Sequence, residues 1–434
     1  MVRQDKLLIT GAGGFIGQKV VNYFLGKGYR VRAFVRKKNL LLKNSNLEIV
    51  YGDMRDYDSL DKACKGMNFV IHLAGAKSDE KDSYNINVNG AKNLIKAGKS
   101  NKIKRIVNIS TESVYLVEKG AYAKTKLEAD ELFNKSGLDV ITLRPSVVYG
   151  DLKNGVFGSL VKFASLPVTP VIGFGKYKFR PIYIEDLAKS IEISISHKSL
   201  PEKIYDVGSR EGISMNDLIK KISKEILKKK PRILHLPVSI GYGIHKTLSL
   251  VSNKPIISES NILGSTQEIK SDSSKYFRDF FIPRDINLGF KEIISKRDNL
   301  AEEFEVLSRY ILSSCDSSYL PMKEDIEKYS KALKIRNINK KRFSEVLYNY
   351  PFLIGGLDAI SRILYPKGSF QKKLNIVAIL IECHPVSAKW LLPKERSFIS
   401  LVWRSSLLIL RSIIKFLLGI LLLLVPNFVE KNAK

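Results

Sequence analysis

Short apolar runs alternate with amphipathic stretches along the first 145 residues of the chain. The runs lie at residues 6–10, 30–35, 48–51, 69–73, 105–109 and 140–144, and turn residues bound each of them. Such runs are typical of buried parallel strands. Helical periodicity at residues 15–25, 88–99 and 121–135 separates several of them. Repeated βα units of this length predict an α/β fold, a doubly wound parallel sheet with helices on both faces.

The pattern loosens after residue 146, where prolines and glycines mark loops. A strand is predicted at residues 182–184 and a helix at 186–196. Ser214-Met-Asn-Asp217 resembles a capping box and predicts a further helix to residue 227. Beyond residue 297 the composition turns helical, with helices predicted at 300–313, 323–333 and 343–348.

Composition and charge narrow the function classes. The 434 residues predict two or three domains. Lys and Arg number 72 against 43 Asp and Glu, a net charge of +29. Residues 1–296 hold 50 basic and 30 acidic residues, and residues 297–434 hold 22 and 13. A nucleic-acid-binding domain would concentrate this excess, so no nucleic-acid partner is predicted, although an anionic membrane surface stays open.

The cysteines indicate a reducing compartment. Cys64, Cys315 and Cys383 lie far apart and form no Cys-x-x-Cys motif, and the five histidines are scattered. Neither a disulfide framework nor a metal site is expected. No signal peptide is expected either, because the first apolar run is short and a glycine cluster follows it at once. These features predict a cytoplasmic location.

A glycine-rich turn follows the first predicted strand and opens the first predicted helix. Its sequence is Gly11-Ala-Gly-Gly14-Phe-Ile-Gly17. Glycine permits a positive φ in a tight turn, and a bare backbone lets a pyrophosphate approach the free N–H groups of the helix N-terminus. The turn predicts a Rossmann-type dinucleotide site, with Phe15 and Ile16 in the same cofactor-binding segment.

The end of the second predicted strand bears on cofactor choice. Val35 is followed by Arg36, Lys37 and Lys38, and no acidic residue stands there. An acid at this position binds the ribose hydroxyls of NAD, whereas arginine accommodates the 2′-phosphate of NADP. The pattern favours NADP, with NAD as the alternative.

A Tyr-x-x-x-Lys pair supplies candidate catalytic chemistry. Tyr122 and Lys126 share one face of a predicted helix that begins just after the fifth strand. A nearby ammonium favours the phenolate, so Lys126 is expected to lower the pKa of Tyr122 and allow proton transfer to or from a substrate hydroxyl. Tyr242/Lys246 and Tyr319/Lys323 have the same spacing but lie elsewhere, and are interpreted as coincidental.

Together these features resemble the extended short-chain dehydrogenase/reductase superfamily, in its epimerase/dehydratase branch. Further matching motifs are Gly52-Asp53, His72-Leu-Ala-Gly75, Asn87-Val-Asn-Gly90, Ser110-Thr-Glu-Ser-Val-Tyr115, Leu143-Arg-Pro145 with Val148-Tyr-Gly150, and Arg180-Pro-Ile-Tyr-Ile-Glu-Asp186. They span residues 1–190, and a weaker similarity continues to residue 295. The resemblance implies an NAD(P)-dependent oxidoreductase or epimerase that acts on a small-molecule substrate.

The resemblance also implies residue roles. Gly11, Gly14 and Gly17 would hold the pyrophosphate, and Asp53 would face the adenine. The catalytic residues would be Thr111, bonded to the substrate oxygen, Tyr122 as acid/base, and Lys126, which would also bind the nicotinamide ribose. Pro145 would lie beside the nicotinamide, and Asn87 matches a loop asparagine near the cofactor.

Departures from the family pattern leave the substrate open. Related sugar dehydratases follow the threonine with Asp-Glu, whereas this chain has Glu112 and Ser113, which argues against 4,6-dehydration. Six residues separate Tyr115 from Tyr122, a shorter loop than sugar epimerases have. A nucleotide sugar, a sterol or another lipid-linked compound remain alternatives. The rival hypothesis is a non-catalytic NADP(H)-binding assembly subunit, similar to the accessory-subunit branch of respiratory complex I.

The predicted organisation has four parts. Residues 1–150 form the NAD(P)-binding core, 151–295 a smaller substrate lobe with returning elements of the sheet, and 296–396 a helical extension. Residues 397–434 form an apolar segment in which Arg404, Arg411 and Lys415 share one helical face. That spacing suits an interfacial membrane anchor. A tilted span, or a buried helix or oligomer contact such as a homodimer, are the alternatives.

Overall fold

The structure is a computed structural model that describes residues 5–36, 44–76, 80–251, 259–312, 323–335, 338, 347–348 and 353–382. The chain divides into two compact units, Met1–Ser295 and Lys296–Lys434. The predicted apolar segment 397–434, Lys37, Lys38, Cys315, Cys383 and most of the predicted helix 343–348 lie outside the described residues.

Seven parallel strands form the central sheet of the first unit. They are β1 (Lys6–Thr10), β2 (Arg30–Val35), β3 (Leu47–Tyr51), β4 (Phe69–His72), β5 (Arg105–Ile109), β6 (Val140–Pro145) and β11 (Ile204–Val207). Their spatial order is β11-β6-β5-β4-β1-β2-β3. The central strands are buried because helices cover both faces of the sheet. This is the Rossmann-type fold that the alternating pattern predicted.

Short strands of the same unit build the smaller lobe. They are β7 (Val148–Tyr149), β8 (Thr169–Ile172), β9 (Lys178–Phe179), β10 (Ile182–Tyr183), β12 (Ile213–Ser214) and β13 (Ile233–Leu236). They form three two-stranded sheets, in which β7 pairs with β10 and β8 with β13 in parallel, and β9 with β12 antiparallel.

Twelve described helices accompany these strands in the first unit. They are α1 (Phe15–Gly26), α2 (Tyr57–Cys64), α3 (Glu80–Ser83), α4 (Gly90–Ser100), α5 (Ala121–Asn134), α6 (Gly155–Ser165), α7 (Ile184–Ser196), α8 (Met215–Lys221), α9 (Val238–Val251), α10 (Glu259–Thr266), α11 (Ser274–Asp279) and α12 (Ile286–Ser295). A π-helical segment, Tyr84–Asn89, joins α3 to α4, and another, Ile222–Ile226, continues α8.

Two long-range contacts fasten the end of the first unit to its sheet and helices. Arg284 donates to both carboxylate oxygens of Asp186 on α7, and its backbone N–H donates to Oδ2 at 3.0 Å. The backbone N–H of Asp272 donates to Oδ2 of Asp206 on β11 at 2.9 Å. Both carboxylates are buried. The segment after α10 therefore packs against the edge of the sheet that β11 forms.

The described part of the second unit consists of helices α13 (Asn299–Ile311), α14 (Lys323–Ile335), α15 (Ile354–Leu364) and α16 (Ser369–Glu382). Their apolar sides share one core. A buried polar cluster crosses that core, where Lys373 Nζ lies 2.9 Å from Glu303 and the Tyr329 hydroxyl donates to the same carboxylate at 2.6 Å. Among the described helices of the whole chain, none has the length and apolar character needed to cross a bilayer.

Differences from the predicted elements have local causes. The predicted strand 182–184 ends at Tyr183, because Ile184 begins α7. The predicted helix 88–99 begins earlier, since the segment Tyr84–Asn89 is already helical. Asn87, which the resemblance placed in a loop, therefore lies in a helical segment. β11 was not predicted, because Tyr205 and Asp206 interrupt its short apolar pattern.

Candidate active site

The glycine-rich turn between β1 and α1 leaves a cradle that side chains would fill. Gly11 has a φ of +69°, and a Cβ there would lie 2.6 Å from the backbone nitrogen of Ala74. A Cβ on Gly17 would lie 2.2 Å from the carbonyl oxygen of Gly11. The Gly14 N–H closes the turn by donating to that same oxygen at 3.0 Å. The close approach of bare backbone to the start of α1 fits a bound dinucleotide.

Phe15 and Ile16 form the first turn of α1, which has no acidic residue there. Their backbone N–H groups belong to the free donors of a helix N-terminus, which carries a partial positive charge. The Ile16 side chain packs against the hydrophobic core. The prediction that these two residues bind the cofactor therefore applies to their backbone N–H groups and not to their side chains.

Charged residues occupy the neighbouring ends of β2 and β3. Arg36 is exposed directly after β2. Asp53 accepts two hydrogen bonds from the guanidinium of Arg55, at 2.9 and 2.7 Å. The hydrogen bond from Arg55 is the main reason that the pKa of Asp53 is lowered, and Arg36 adds a smaller favourable field. Asp53 is therefore an ionised carboxylate already engaged by an arginine.

Asn87 joins two segments instead of reaching into open space. Its side-chain amide donates to the carbonyl of Ala76 at 3.1 Å and to the hydroxyl of Thr125 at 3.0 Å. Its side-chain oxygen accepts from the Ala76 N–H at 2.9 Å. Asn87 thus ties the loop after β4 to α5, one turn from Tyr122. Its contacts are those of a residue that holds this loop against α5.

Thr111 and Tyr122 meet at the carboxyl edge of the sheet, where ligands bind in open α/β folds. Thr111 is the second residue after β5, and Tyr122 lies in the first turn of α5. A hydrogen bond links their side chains. Thr111 also caps the short helical turn Glu112–Tyr115 by accepting from the Ser113 N–H at 3.2 Å. Both hydroxyls are held by short-range structure.

Lys126 is buried below this pair, one turn further along α5. Its ammonium donates to the carbonyl oxygen of Ile109 on β5 at 2.7 Å. Burial, followed by the charge of Lys126, lowers the pKa of the nearby His72 to about 3. His72 is therefore neutral at physiological pH and shares a 2.8 Å hydrogen bond with Thr10.

The direction of the Tyr122 pKa differs from the prediction. Burial raises this pKa to about 12, although the hydrogen bond with Thr111 partly opposes the effect. The expectation that Lys126 lowers it was wrong for this arrangement, in which desolvation of the phenolate dominates. The phenol is therefore protonated at neutral pH and can donate its proton to an oxygen that gains negative charge.

A buried polar network supports the site from beneath. Asp130 on α5 accepts from Asn108, Ser110 and Arg144, at 2.9, 2.8 and 3.0 Å. Arg144 on β6 also donates to the hydroxyl of Tyr115 at 2.8 Å. That hydroxyl donates to Asp206 at 2.8 Å. This network was not predicted from the sequence, although a charged residue at the end of a buried strand was a usable signal.

Glu112 is a second buried carboxyl group, next to Thr111. It is 5% exposed and accepts from the hydroxyls of Ser146 and, at 3.3 Å, Ser271. Burial raises its pKa to about 7. The two serine hydroxyls and Arg180 oppose this shift, and the carboxylate of Asp206 adds to it. Glu112 therefore changes its charge near neutral pH.

The Glu112→Gln variant should remove one component of the pH dependence of stability. Because the folded-state pKa of Glu112 is raised above its ordinary value of 4.5, the folded state holds a proton that the unfolded state releases. Glu112 thus makes the free energy of unfolding fall as pH rises from 4.5 towards 7, by about 3 kcal/mol in total. Glutamine stays neutral, so this decline should disappear in urea unfolding measured at pH 5 and pH 8.

Glu118→Gln is the matched control, since Glu118 is exposed on the same loop. It should keep the pH dependence of the parent chain. A slope that is identical in the parent chain and in Glu112→Gln would contradict the assignment to Glu112.

Pro145 ends β6 and is buried at the same sheet edge. Within the described residues, no group of three or more His, Cys, Asp or Glu side chains could hold a metal ion. Cys64 is buried and reduced.

Part of the chain matches a known protein family. Residues 7–208 match the model of the NAD dependent epimerase/dehydratase family. The chain is 26% identical over 262 residues to the N-acetyl-alpha-D-glucosaminyl-diphospho-ditrans,octacis-undecaprenol 4-epimerase of Escherichia coli O157:H7, covering 55% of this chain and 77% of that protein.

Two further similarities are to a hydroxysteroid dehydrogenase and to a solved structure. The 3 beta-hydroxysteroid dehydrogenase/Delta 5-->4-isomerase of Mycobacterium tuberculosis (strain CDC 1551 / Oshkosh) is 25% identical over 265 residues, which cover 52% of this chain and 71% of that protein. The structure of MoeE5 in complex with UDP-glucuronic acid and NAD superposes with a TM-score of 0.54 at 19% identity. It covers 67% of this chain and 99% of MoeE5, and it supports the fold.

Proposed function

We propose that this chain, which belongs to the NAD dependent epimerase/dehydratase family through residues 7–208, transfers hydride to or from a hydroxyl- or keto-bearing substrate that is a lipid or is linked to one. The chain is an oxidoreductase of the epimerase/dehydratase type. The substrate class and the residue roles are the proposal. The observation that carries it is the hydrogen-bonded pair of Thr111 and Tyr122 at the carboxyl edge of the sheet.

In this proposal Tyr122 moves the proton. Its phenol is protonated at neutral pH, and burial, which raises the pKa to about 12, holds it in that form. In the reducing direction it donates a proton to the substrate oxygen that gains negative charge. Thr111 is already bonded to Tyr122 and positions that oxygen beside the phenol. Lys126 lies one turn further along α5, where its ammonium donates to the Ile109 carbonyl, and it would bind the nicotinamide ribose.

The nicotinamide cofactor would supply or accept the hydride when bound. The Gly11–Gly17 turn would hold its pyrophosphate, since a Cβ on either of these glycines would meet backbone atoms within 3 Å. Asp53, at the end of β3, would lie on the adenosine side. Asn87 would act through the loop that it ties to α5.

Two similarities favour a lipid-carried substrate over a free nucleotide sugar. The Escherichia coli relative is named for an undecaprenol-linked sugar, and the mycobacterial relative is named for a steroid. The short connection between Tyr115 and Tyr122 supports the same choice, because a shorter loop leaves fewer groups to enclose a nucleotide. The test is turnover by the full chain of three compounds: an undecaprenol-linked sugar diphosphate, a 3β-hydroxysteroid and UDP-glucuronic acid. Turnover of the UDP-sugar alone would contradict the lipid class.

We further propose a preference for NADP(H) through Arg36. The guanidinium is exposed after β2, where a 2′-phosphate would lie, and the nearby Asp53 is occupied by Arg55. The variant Arg36→Ala should weaken NADPH binding by about tenfold or more, in line with loss of one charge-assisted hydrogen bond to phosphate. NADH binding should stay unchanged. Fluorescence titration of both cofactors measures the difference.

Lys62→Ala is a suitable control for Arg36→Ala, because Lys62 is an exposed cation on α2. It should leave both affinities unchanged. If the parent chain binds NADH as tightly as NADPH, the Arg36 assignment is wrong and NAD is the cofactor.

A further inference from the structure

Large apolar side chains are exposed on one part of the smaller lobe. They are Val168, Phe174, Tyr177, Leu234, Ile240 and Tyr242. Phe174 is 78% exposed and Leu234 is 53% exposed. We define these six residues and the basic residues between them as the basic–apolar face. Exposed large apolar groups that cluster in this way mark interaction surfaces.

The two chain segments that build this face contain no acidic residue. None occurs between Asp151 and Glu185, or between Glu225 and Glu259. Lys176, Lys178, Lys230 and Arg232 are exposed among the apolar groups. The Lys176 ammonium lies 5.9 Å from the centre of the Phe174 ring. Acidic groups lie at the edge, where Asp217 is engaged by Ser214 and Lys220. Burial raises the pKa of the Tyr242 hydroxyl, and the nearby carboxylates of Glu259 and Glu118, at the side of the face towards α10, add to this effect.

Backbone pairing joins the two segments into one surface. β8 and β13 pair in parallel, with Pro170 opposite Leu234. A Cβ on Gly241 in α9 would lie 3.0 Å from the Ile172 side chain, so the first turn of α9 packs closely on β8. The Phe174 carbonyl accepts from Asn216, whose side-chain oxygen is 3.1 Å from the His235 ring. The loop after β8 and strand β13 are thereby held side by side.

We propose that the basic–apolar face docks on an anionic lipid bilayer. Phe174 and Ile240 would enter the interface between headgroups and acyl chains, and the lysines would contact anionic headgroups. A second copy of this chain is disfavoured as the occupant, because two cationic faces repel each other. Nucleic acid would use the cations but would leave Ile240 and Leu234 exposed to water.

The face adjoins the candidate active site. α10, which follows α9, contacts the start of α5, since a Cβ on Gly120 would lie 3.4 Å from the Leu263 side chain. The Glu118 N–H donates to the side chain of Gln267, just after α10, at 3.0 Å. Tyr122 is two residues from Gly120. The inference rests on the proposed lipid-carried substrate, which such docking would place beside Tyr122.

The test measures local contact with vesicles, because another part of the chain could also bind lipid. In the full chain Cys315→Ser and Cys383→Ser leave the buried Cys64, and an environment-sensitive fluorophore is attached at Phe174→Cys or Ile240→Cys. Addition of phosphatidylglycerol vesicles should shift the emission of both labels to the blue, whereas phosphatidylcholine vesicles should not. The same label at Lys62→Cys on α2 should show no shift.

The cationic contribution has its own matched comparison. Replacing Lys176, Lys230 and Arg232 with glutamine should lower the affinity of the labelled face for these vesicles by about a hundredfold. Replacing Lys62, Lys65 and Lys99 with glutamine changes the net charge equally and should have little effect.

Several results would overturn the docking proposal. They are an equal shift at Lys62→Cys, no shift at the two face positions, or a shift with a DNA duplex but none with vesicles. Turnover of a lipid-carried substrate in detergent is assayed separately. Failure of docking with that turnover intact would leave the proposed function standing, whereas docking without such turnover would remove the function alone.

Discussion

Tyr122→Phe is expected to lower kcat by about 10²–10⁴-fold, the usual contribution of a positioned general acid or base. Phenylalanine keeps the ring but removes the proton that Tyr122 would give to the substrate oxygen and the hydrogen bond to Thr111. The affinity for NADPH should change little, because the glycine turn and Arg36 lie on other elements. Steady-state turnover and cofactor titration of the full chain measure the two effects separately.

Tyr84→Phe is the control for this experiment. Tyr84 is 39% exposed, and its hydroxyl donates to Glu128 on the outer side of α5 at 3.2 Å. Its removal should leave kcat near the parent value. Full turnover by Tyr122→Phe would refute the acid/base role. Cofactor binding by the parent chain without turnover of any substrate class would instead favour the rival hypothesis of a non-catalytic NADP(H)-binding subunit.

Asp130→Ala is expected to have the largest effect on stability, a loss of about 3–5 kcal/mol in the free energy of unfolding. The Asp130 carboxylate is 2% exposed and accepts from three side chains, including the guanidinium of Arg144. Alanine would leave Arg144, 9% exposed, without its buried counter-charge. Urea unfolding followed by circular dichroism, together with hydrogen exchange of the β5 and β6 amides, measures the loss in this unit.

Two variants make the Asp130 experiment specific. Glu131→Ala alters the next residue of α5, whose exposed carboxylate lies 3.8 Å from Lys135, and should change stability by about 0.5 kcal/mol or less. The double variant Asp130→Leu with Arg144→Met should lose less free energy of unfolding than the sum of the losses in the two single variants. Each single variant leaves one buried charge without its partner, whereas the double variant removes both charges. Strict additivity would show that the ion pair is not coupled in the folded state.

The central sheet was predictable from the sequence to within a residue or two at most strand ends. β1, β2 and β5 have the predicted bounds because a strand covered on both faces consists mainly of apolar residues, and turn residues bound it. β11 was not predicted by this rule. Its sequence Ile-Tyr-Asp-Val contains a carboxylate that is satisfied by Tyr115 and the Asp272 N–H, partners that are distant in sequence.

The smaller lobe was less predictable for a different reason. Most of its strands are two residues long, which is too short for any periodicity to register. Their pairing depends on residues far apart in the chain, such as Ile213 opposite Phe179. The exposed apolar side chains of this lobe had no sequence signal either, since exposure is decided by tertiary packing.

At the candidate site, sequence reasoning identified residue types better than their electrostatic state. Thr111 and Tyr122 come together because the end of β5 and the start of α5 lie at the same edge of the sheet. The direction of the Tyr122 pKa depends on how completely the fold excludes water, which residue spacing does not reveal. The importance of Glu112 was hidden for the same reason, because its partner Ser271 is 159 residues away.

The contacts of Arg284 with Asp186 have a consequence for the order in which the chain folds. They join residues 98 positions apart, and Asp272 reaches back to Asp206 over 66 positions. Non-local contacts of this kind form late, since the entropy of closing a long loop must be overcome first. During synthesis β1 to β6 can pair early, whereas these two contacts form only after residues 272 and 284 have left the ribosome. The first unit therefore completes its edge at β11 after β1 to β6 have paired.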